Sequence, residues 1–264
     1  MKLTHCDLFF ADGAVLVEGN VERLLLPLII ESESPELRAC HLTILEVGGA
    51  FAHKFDKLVH FLGLPTLVIT DLDSVNQTPE SDDGAAGKAK ACLTTADGAV
   101  TSNQTLRHWI PASQTIPELL DLAEDAKCPN GPGGSPGLVR VAYETREPAT
   151  WKGDSEDLAG RTFEEAFALR NLEWSQHRDQ AGLGLLVAEA NELDLVGLHS
   201  ALFKRVGSFD KTAFALGLIA APTGWAAPGY ITDGLAWLSS VLLADPANAE
   251  VAEVAETLEL TIEE

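Results

Sequence analysis

Residues 65–73, PTLVITDLD, constrain the fold of this 264-residue chain more than any other stretch. Nothing in the run alternates polar with apolar, so a strand made from it must be covered on both faces, as strands of parallel sheets are. Asp71 and Asp73 then stand at its carboxyl end. Side chains at i and i+2 of an extended chain point to the same side, so the two carboxylates repel unless positive charge lies between them. A cation is the simplest partner.

Strand-like and helix-like segments alternate up to that point. GAVLVEG (13–19) reads as a short apolar strand, and NVERLLLPLIIES (20–32) as a helix that Pro27 should kink. HLTILEVGG (41–49) is a second strand, AFAHKFDKLVHFLGL (50–64) a helix, and 65–73 the third strand. A β-α-β-α-β order with short connections predicts an α/β fold, a mainly parallel sheet flanked by helices, with ligands at the carboxyl ends of the strands. Three strand ends carry candidates: Glu18-Gly19, Gly48-Gly49 and Asp71-x-Asp73. Gly19 suits a turn with an unusual backbone angle or the close approach of a ligand.

Residues 76–91 are polar and Gly-rich, and CPNGPGGSPG (128–137) is too rich in breakers to be anything but a loop. Between them 117–127 reads as a helix, and 138–144 as a further strand. Beyond REPATWKGDSEDLAG the pattern is helical, with candidates at 162–175, 182–206, 210–221 and 231–244, and the end of the chain is an acidic tail. This places a boundary near residue 150, with a catalytic α/β domain over 1–150 and a mainly helical domain over 151–264, packed on or inserted into the first.

The 18 basic and 40 acidic residues give a formal charge of -22, which disfavours nonspecific attraction to nucleic acid or an anionic membrane. Bound divalent ions can reverse the sign locally, and a partner domain can supply basic surface. Cys6, Cys40, Cys92 and Cys128 show no C-x-x-C spacing and read as free thiols in a reducing cytoplasm. His5 and Asp7 interrupt any signal-peptide core, and no run reaches the roughly 20 apolar residues of a membrane span. A cytoplasmic protein with no membrane partner is expected.

If the first and third strands are near neighbours, Glu18, Asp71 and Asp73 converge on one sheet edge, with Glu22 above them in the first helical turn. Glu22 also reads simply as a helix-start acid, favoured by the dipole. Four hard oxygen ligands without histidine or thiolate select Mg²⁺ or Mn²⁺. Two such ions about 4 Å apart would activate a water and stabilise the leaving oxygen of a phosphodiester.

VLVEGNVER, VGGAF and VITDLDS together resemble the TOPRIM domain, a Rossmann-like acidic metal-binding module of topoisomerases, primases and certain nucleases. TSNQTLRHWIP (101–111), VRVAYET (139–145), RTFEEAFALRN (161–171), FDKTAFALGLI (209–219) and GYITDGLAWL (229–238) resemble the carboxyl-terminal catalytic region of overcoming lysogenization defect (OLD) family nucleases. The resemblance implies a metal-dependent DNA endonuclease using two Mg²⁺ or Mn²⁺ ions. It carries the paired glutamates onto Glu18 and Glu22, the Asp-x-Asp onto Asp71 and Asp73, and a lysine at the scissile phosphate onto Lys211. Glu164, or Glu165 beside it, would complete the metal shell. Ser74 and Ser102 could position a metal water or a phosphate, although loop and capping roles suit them better. Such proteins carry an amino-terminal ABC-type ATPase and are homodimers; no G-x-x-x-x-G-K-[ST] occurs here, so a catalytic fragment that binds no nucleotide is expected.

DLDSV also resembles the first motif of haloacid-dehalogenase-type phosphatases, with Asp71 as nucleophile and Asp73 as general acid, but those place the motif on the first strand. A non-catalytic Mg²⁺-binding α/β module is the remaining alternative. Trp109, Trp174, Trp225 and Trp237 are expected to pack in the core or between domains, and His53 and His60 are assigned no catalysis.

Overall fold

The computed structural model describes residues 3–48, 51–77, 89–131, 137–221 and 223–244. The strands are β1 (Gly13–Val17), β2 (Leu42–Glu46), β3 (Thr66–Ile69), β4 (Ser74–Asn76), β5 (Ala99–Thr101), β6 (Val139–Ala142), β7 (Glu147–Trp151) and β8 (Asp154–Leu158). The helices are α1 (Asn20–Glu33), α2 (Asp56–Leu62), α3 (Gln104–His108), α4 (Ile116–Asp121), α5 (Phe163–Arg170), α6 (Leu172–Ser175), α7 (Leu195–Val206), α8 (Lys211–Ala220) and α9 (Gly229–Leu243). The described chain forms two compact units, one of residues 3–70, 124–142 and 230–244, the other of 71–123 and 143–229. None of the four crossings falls at residue 150.

The first unit is built on a four-stranded parallel sheet in the order β2-β1-β3-β6, with β1 and β3 adjacent. Every residue of β1 and β3 is buried, as their unalternating sequences require. The amphipathic α1 buries Leu25, Leu26, Ile29 and Ile30, each contributing about 1.5–3 kcal/mol. It continues through Pro27, which forgoes the bond to the Arg23 carbonyl. The helix expected over 50–64 is a 3-10 turn at Ala52–Phe55 followed by α2, stopped by Gly63 in the left-handed region at φ 65°. α9 lies against this sheet: a Cβ on Gly234 would stand 2.9 Å from Leu67 Cδ1, and one on Gly13 would stand 3.0 Å from Leu242 Cδ1. The sequence grouped α9 with a helical second half; its apolar face instead covers the sheet.

The second unit contains the antiparallel pair β4–β5, the hairpin β7–β8 and helices α3 to α8. The hairpin occupies the stretch that sequence reading treated as a domain link. Its two-residue turn, Lys152-Gly153, has φ of 51° and 90°, the double positive φ that two-residue hairpins favour. The helix expected over 182–206 is broken. Gly184 (φ 76°) ends a 3-10 turn, and α7 starts only where Asp194 accepts a hydrogen bond from Gly197 N at 2.7 Å. Residues 162–175 split at Asn171, whose amide leaves the helix to pair with the Ala226 backbone at 2.8 and 2.7 Å. The helix expected over 117–127 is α4 and a separate 3-10 turn at Glu124–Lys127.

An aromatic cluster forms the second core. Phe167 meets Phe214, Trp225 and Trp174 edge-on at centroid distances of 5.3, 5.4 and 6.1 Å. Trp174 and Trp225 thus pack as expected. The four cysteines are free thiols, and no described helix is long and apolar enough to cross a membrane. Gly49, most of the 76–91 loop, the middle of the 128–137 loop and the acidic tail lie outside the described residues.

Candidate active site

In the first unit, Val17 is in register with Ile69, so Glu18 and Thr70 leave neighbouring parallel strands at the same level. The Thr70 hydroxyl donates to Glu18 Oε2 at 2.7 Å, which orients that carboxylate. Glu22 sits in the first turn of α1 and is buried, in the field of the helix N-terminus. Gly19 precedes the helix with φ −135°, a conformation open to any residue. A Cβ there would lie 3.1 Å from Glu22 Oε2, the movable end of a side chain.

Asp71 follows Thr70 directly in the chain and opens the site of the second unit. The backbone of Asp71-Leu72-Asp73 is held at nearly every polar atom. Asn103 Nδ2 donates to Asp71 O (2.7 Å), Thr101 Oγ1 to Leu72 O (2.6 Å) and Ser102 N to Asp73 O (3.1 Å), while Asp73 N donates to Arg161 O (3.1 Å). Asp73 is itself in the left-handed region, at φ 49°. That conformation is uncommon outside glycine, and Asp tolerates it better than most. The loop therefore presents its two carboxylates on a preset backbone.

The remaining loop donor, Leu72 N, goes to Glu144 Oε2 at 2.7 Å. Glu144 follows β6 by two residues and is completely buried. Burial, partly offset by the Leu72 hydrogen bond, raises its carboxyl to about 8. Among the described residues its Oε1 has no hydrogen-bond partner, and the nearby Asp71 side chain only partly offsets the burial. Asp71 Oδ1 also accepts from Phe163 N, at the start of α5, at 3.1 Å.

Asp73 is raised by burial against the lowering influence of Arg161 and Lys211. Its Oδ1 takes Arg161 Nη2 at 2.7 Å, and Arg161 Nε donates to Ser74 O at 2.9 Å. Glu164, 2% exposed, is gripped by Lys211 Nζ at 2.9 and 3.0 Å from its two oxygens, with the Thr162 hydroxyl at 2.9 Å. Glu165 turns the other way, accepting from Arg161 N at 2.9 Å and contacting His199 Nε2 at 3.0 Å in a buried pair. Of the two glutamates, Glu164 is the one beside Lys211. Ser74 Oγ donates to Cys92 O at 2.5 Å and is buried; Ser102 Oγ donates to Asp73 O at 3.1 Å. Both hydroxyls serve the loop.

The second unit thus gathers Asp71, Asp73, Glu164 and Lys211, and the first holds Glu18 and Glu22. Among the described residues no group of three or more His, Cys, Asp or Glu side chains could hold a metal ion as placed. Asp73 and Glu164 are balanced instead by Arg161 and Lys211. Sequence reading missed Glu144 and Arg161. The first was findable, since it closely follows an apolar strand, Val139–Ala142; the second carries no local signal.

A parallel α/β sheet with acids leaving its adjacent central strands is the architecture of the TOPRIM class. Residues 9–73 match the family model described as "Overcoming lysogenization defect protein-like, TOPRIM domain", a match that ends on Asp73. The chain is also 27% identical over 257 residues to Endonuclease GajA of Bacillus cereus (strain HuB5-5), covering 92% of this chain and 33% of that protein. It thus spans about a third of the length of this curated relative. Among solved structures, the C-terminal region of the Burkholderia pseudomallei OLD protein aligns at a TM-score of 0.44 with 22% identity, covering 88% of this chain and 99% of that one. The C-terminal region of the Xanthomonas campestris pv. campestris OLD protein aligns at 0.44 with 19% identity, covering 92% and 99%.

Proposed function

We propose that this chain is the catalytic region of an OLD-family, divalent-metal-dependent DNA endonuclease. The observation that carries the reading is the OLD-like TOPRIM match over 9–73, which contains Glu18, Glu22, Asp71 and Asp73, within a longer likeness to a protein named an endonuclease. The fixed Asp71–Asp73 backbone supports it, because charge stabilisation in a transition state depends on groups that need no reorganisation.

The donors fit Mg²⁺ or Mn²⁺ in kind: every candidate is a carboxylate, and two of them hold protein cations where a dication would otherwise balance them. In this reading Glu18, Glu22, Asp71, Asp73 and Glu164 are the metal ligands. Two bound ions would supply an activated water and stabilisation of the leaving oxygen. The chain's own residues do the rest. Thr70 orients Glu18, Glu144 and Asn103 hold the Asp71–Asp73 loop, and the half-exposed Lys211 ammonium stabilises charge developing on the phosphate. In a longer protein we place an amino-terminal ABC-type ATPase domain beside this region, in a cytoplasmic homodimer.

The test is conversion of supercoiled plasmid to nicked and linear forms in parallel with Mg²⁺, Mn²⁺, Ca²⁺ and EDTA. Cleavage with Mg²⁺ or Mn²⁺, abolished by EDTA, is expected. Glu18→Ala, Asp71→Ala and Asp73→Ala should each lower the rate by at least about a hundredfold while the chain stays folded by circular dichroism. Unchanged nicking in all three variants removes the metal-site mechanism.

A further inference from the structure

The second unit contains a cavity of about 460 Å³ whose walls include Arg161, Thr162, Phe203, Lys204, Ser208 and Lys211. In a chain with 40 acidic and 18 basic residues, a pocket with three cations is unlike its surroundings. The acid that also lines it, Glu165, is 1% exposed and already engaged by His199 and the Arg161 amide. Arg161 reaches Asp73 and Lys211 reaches Glu164, so this cavity adjoins the carboxylates proposed above. Lys204 differs from both. It is exposed in the last turn of α7 and, among the described residues, has no ion-pair partner. A lysine there is explained in part by the helix dipole, but Arg205 beside it is spent on the Gly184 carbonyl, whereas Lys204 lines the cavity.

Cations around a partly apolar floor of Phe203 and Val206 match a phosphate with its attached sugar better than a carboxylate metabolite or a divalent ion. We propose that this cavity is a subsite for a backbone phosphate of the nucleic-acid strand, one that flanks the phosphodiester being cut, with Lys204 as its positioning residue. The inference rests on the nuclease reading and adds to it a residue outside the catalytic set. The class of ligand is a phosphodiester strand; the same cations could also take free phosphate.

The experiment measures binding of a fluorescein-labelled DNA duplex by fluorescence polarisation in Ca²⁺ over a series of salt concentrations, with plasmid cleavage in Mg²⁺ alongside. Lys204→Ala should weaken binding roughly three- to tenfold and lower the slope of log K against log salt by about 1, the signature of one lost phosphate contact. It should raise KM and leave kcat in place, and Lys204→Arg should restore the affinity and KM. Equal affinity, slope and KM in Lys204→Ala and the parent chain overturn the proposal. So does inorganic phosphate that binds the parent chain but not Lys204→Ala while duplex affinity is the same in both, which marks a free-anion site. If the parent chain neither binds nor cuts DNA, the nuclease reading fails first, and this subsite with it.

Discussion

Glu144 shows how one buried carboxyl can organise a site without belonging to its recognisable motif. It accepts the Leu72 amide on one oxygen and keeps the other buried, without a donor among the described residues, a setting in which the charged form is costly. Its folded pKa of about 8 lies above the ordinary glutamate value, so between about pH 4.5 and 8 the folded chain keeps a proton that the unfolded chain has released. Stability from this group is therefore full at acid pH and is lost as pH rises through about 8; the raised Asp73 acts in the same direction. Differential scanning fluorimetry should show Tm falling by several degrees between about pH 5 and pH 8.5, and Glu144→Gln, which keeps the Leu72 acceptor, should flatten that fall. Glu144→Ala should instead destabilise at every pH, by about 1–3 kcal/mol or more, because it leaves the buried Leu72 amide without an acceptor. A Glu144→Gln variant with the parent's pH profile would assign the titration elsewhere. Arg161→Met removes the cation from Asp73 and the donor to Ser74 O, and urea melts should register a loss of about 1–3 kcal/mol.

The elements that carry the site are joined by close backbone approaches. Gly160, just before Arg161, has room for no side chain: a Cβ would lie 2.3 Å from the Ala166 amide nitrogen and 2.7 Å from its Cα, both backbone atoms of α5. Gly160→Ala must push α5 away from the turn, disturbing Arg161 N, Phe163 N and Glu164 together. The expected result is a lowered Tm with cleavage lost even in the protein that remains folded; a normal Tm and normal cleavage would show that the turn can yield. Asp194 illustrates a smaller, purely helical contribution. Its side chain satisfies Gly197 N and starts α7 after a broken stretch, so Asp194→Ala should cost about 1 kcal/mol by urea melt without touching the Asp71–Asp73 loop.

For the molecule as a whole, a formal charge of -22 means that self-repulsion opposes folding and that nucleic acid is attracted only where cations are gathered. The sheet strands and their parallel arrangement were legible in the sequence, whereas the adjacency of β1 and β3 was only a condition there and is fixed by the fold. Buried parallel strands are written as unalternating apolar runs, and acids at their ends stand out against that background. Glu18, Asp71 and Asp73 stood out as strand-end acids for the same local reason, while Lys211 was singled out only by family likeness and Glu22 also reads as a helix-start acid. Helix ends and unit borders were not legible. Asn171 leaves its helix for Ala226, 55 residues away in sequence, and α9 returns to a sheet begun at Gly13. Only tertiary structure could decide these, as it alone decided that Glu144 is neutral and that Arg161 holds Asp73: a pKa and an ion pair depend on what lies within a few ångströms in space, and local pattern encodes only what lies a few residues along the chain.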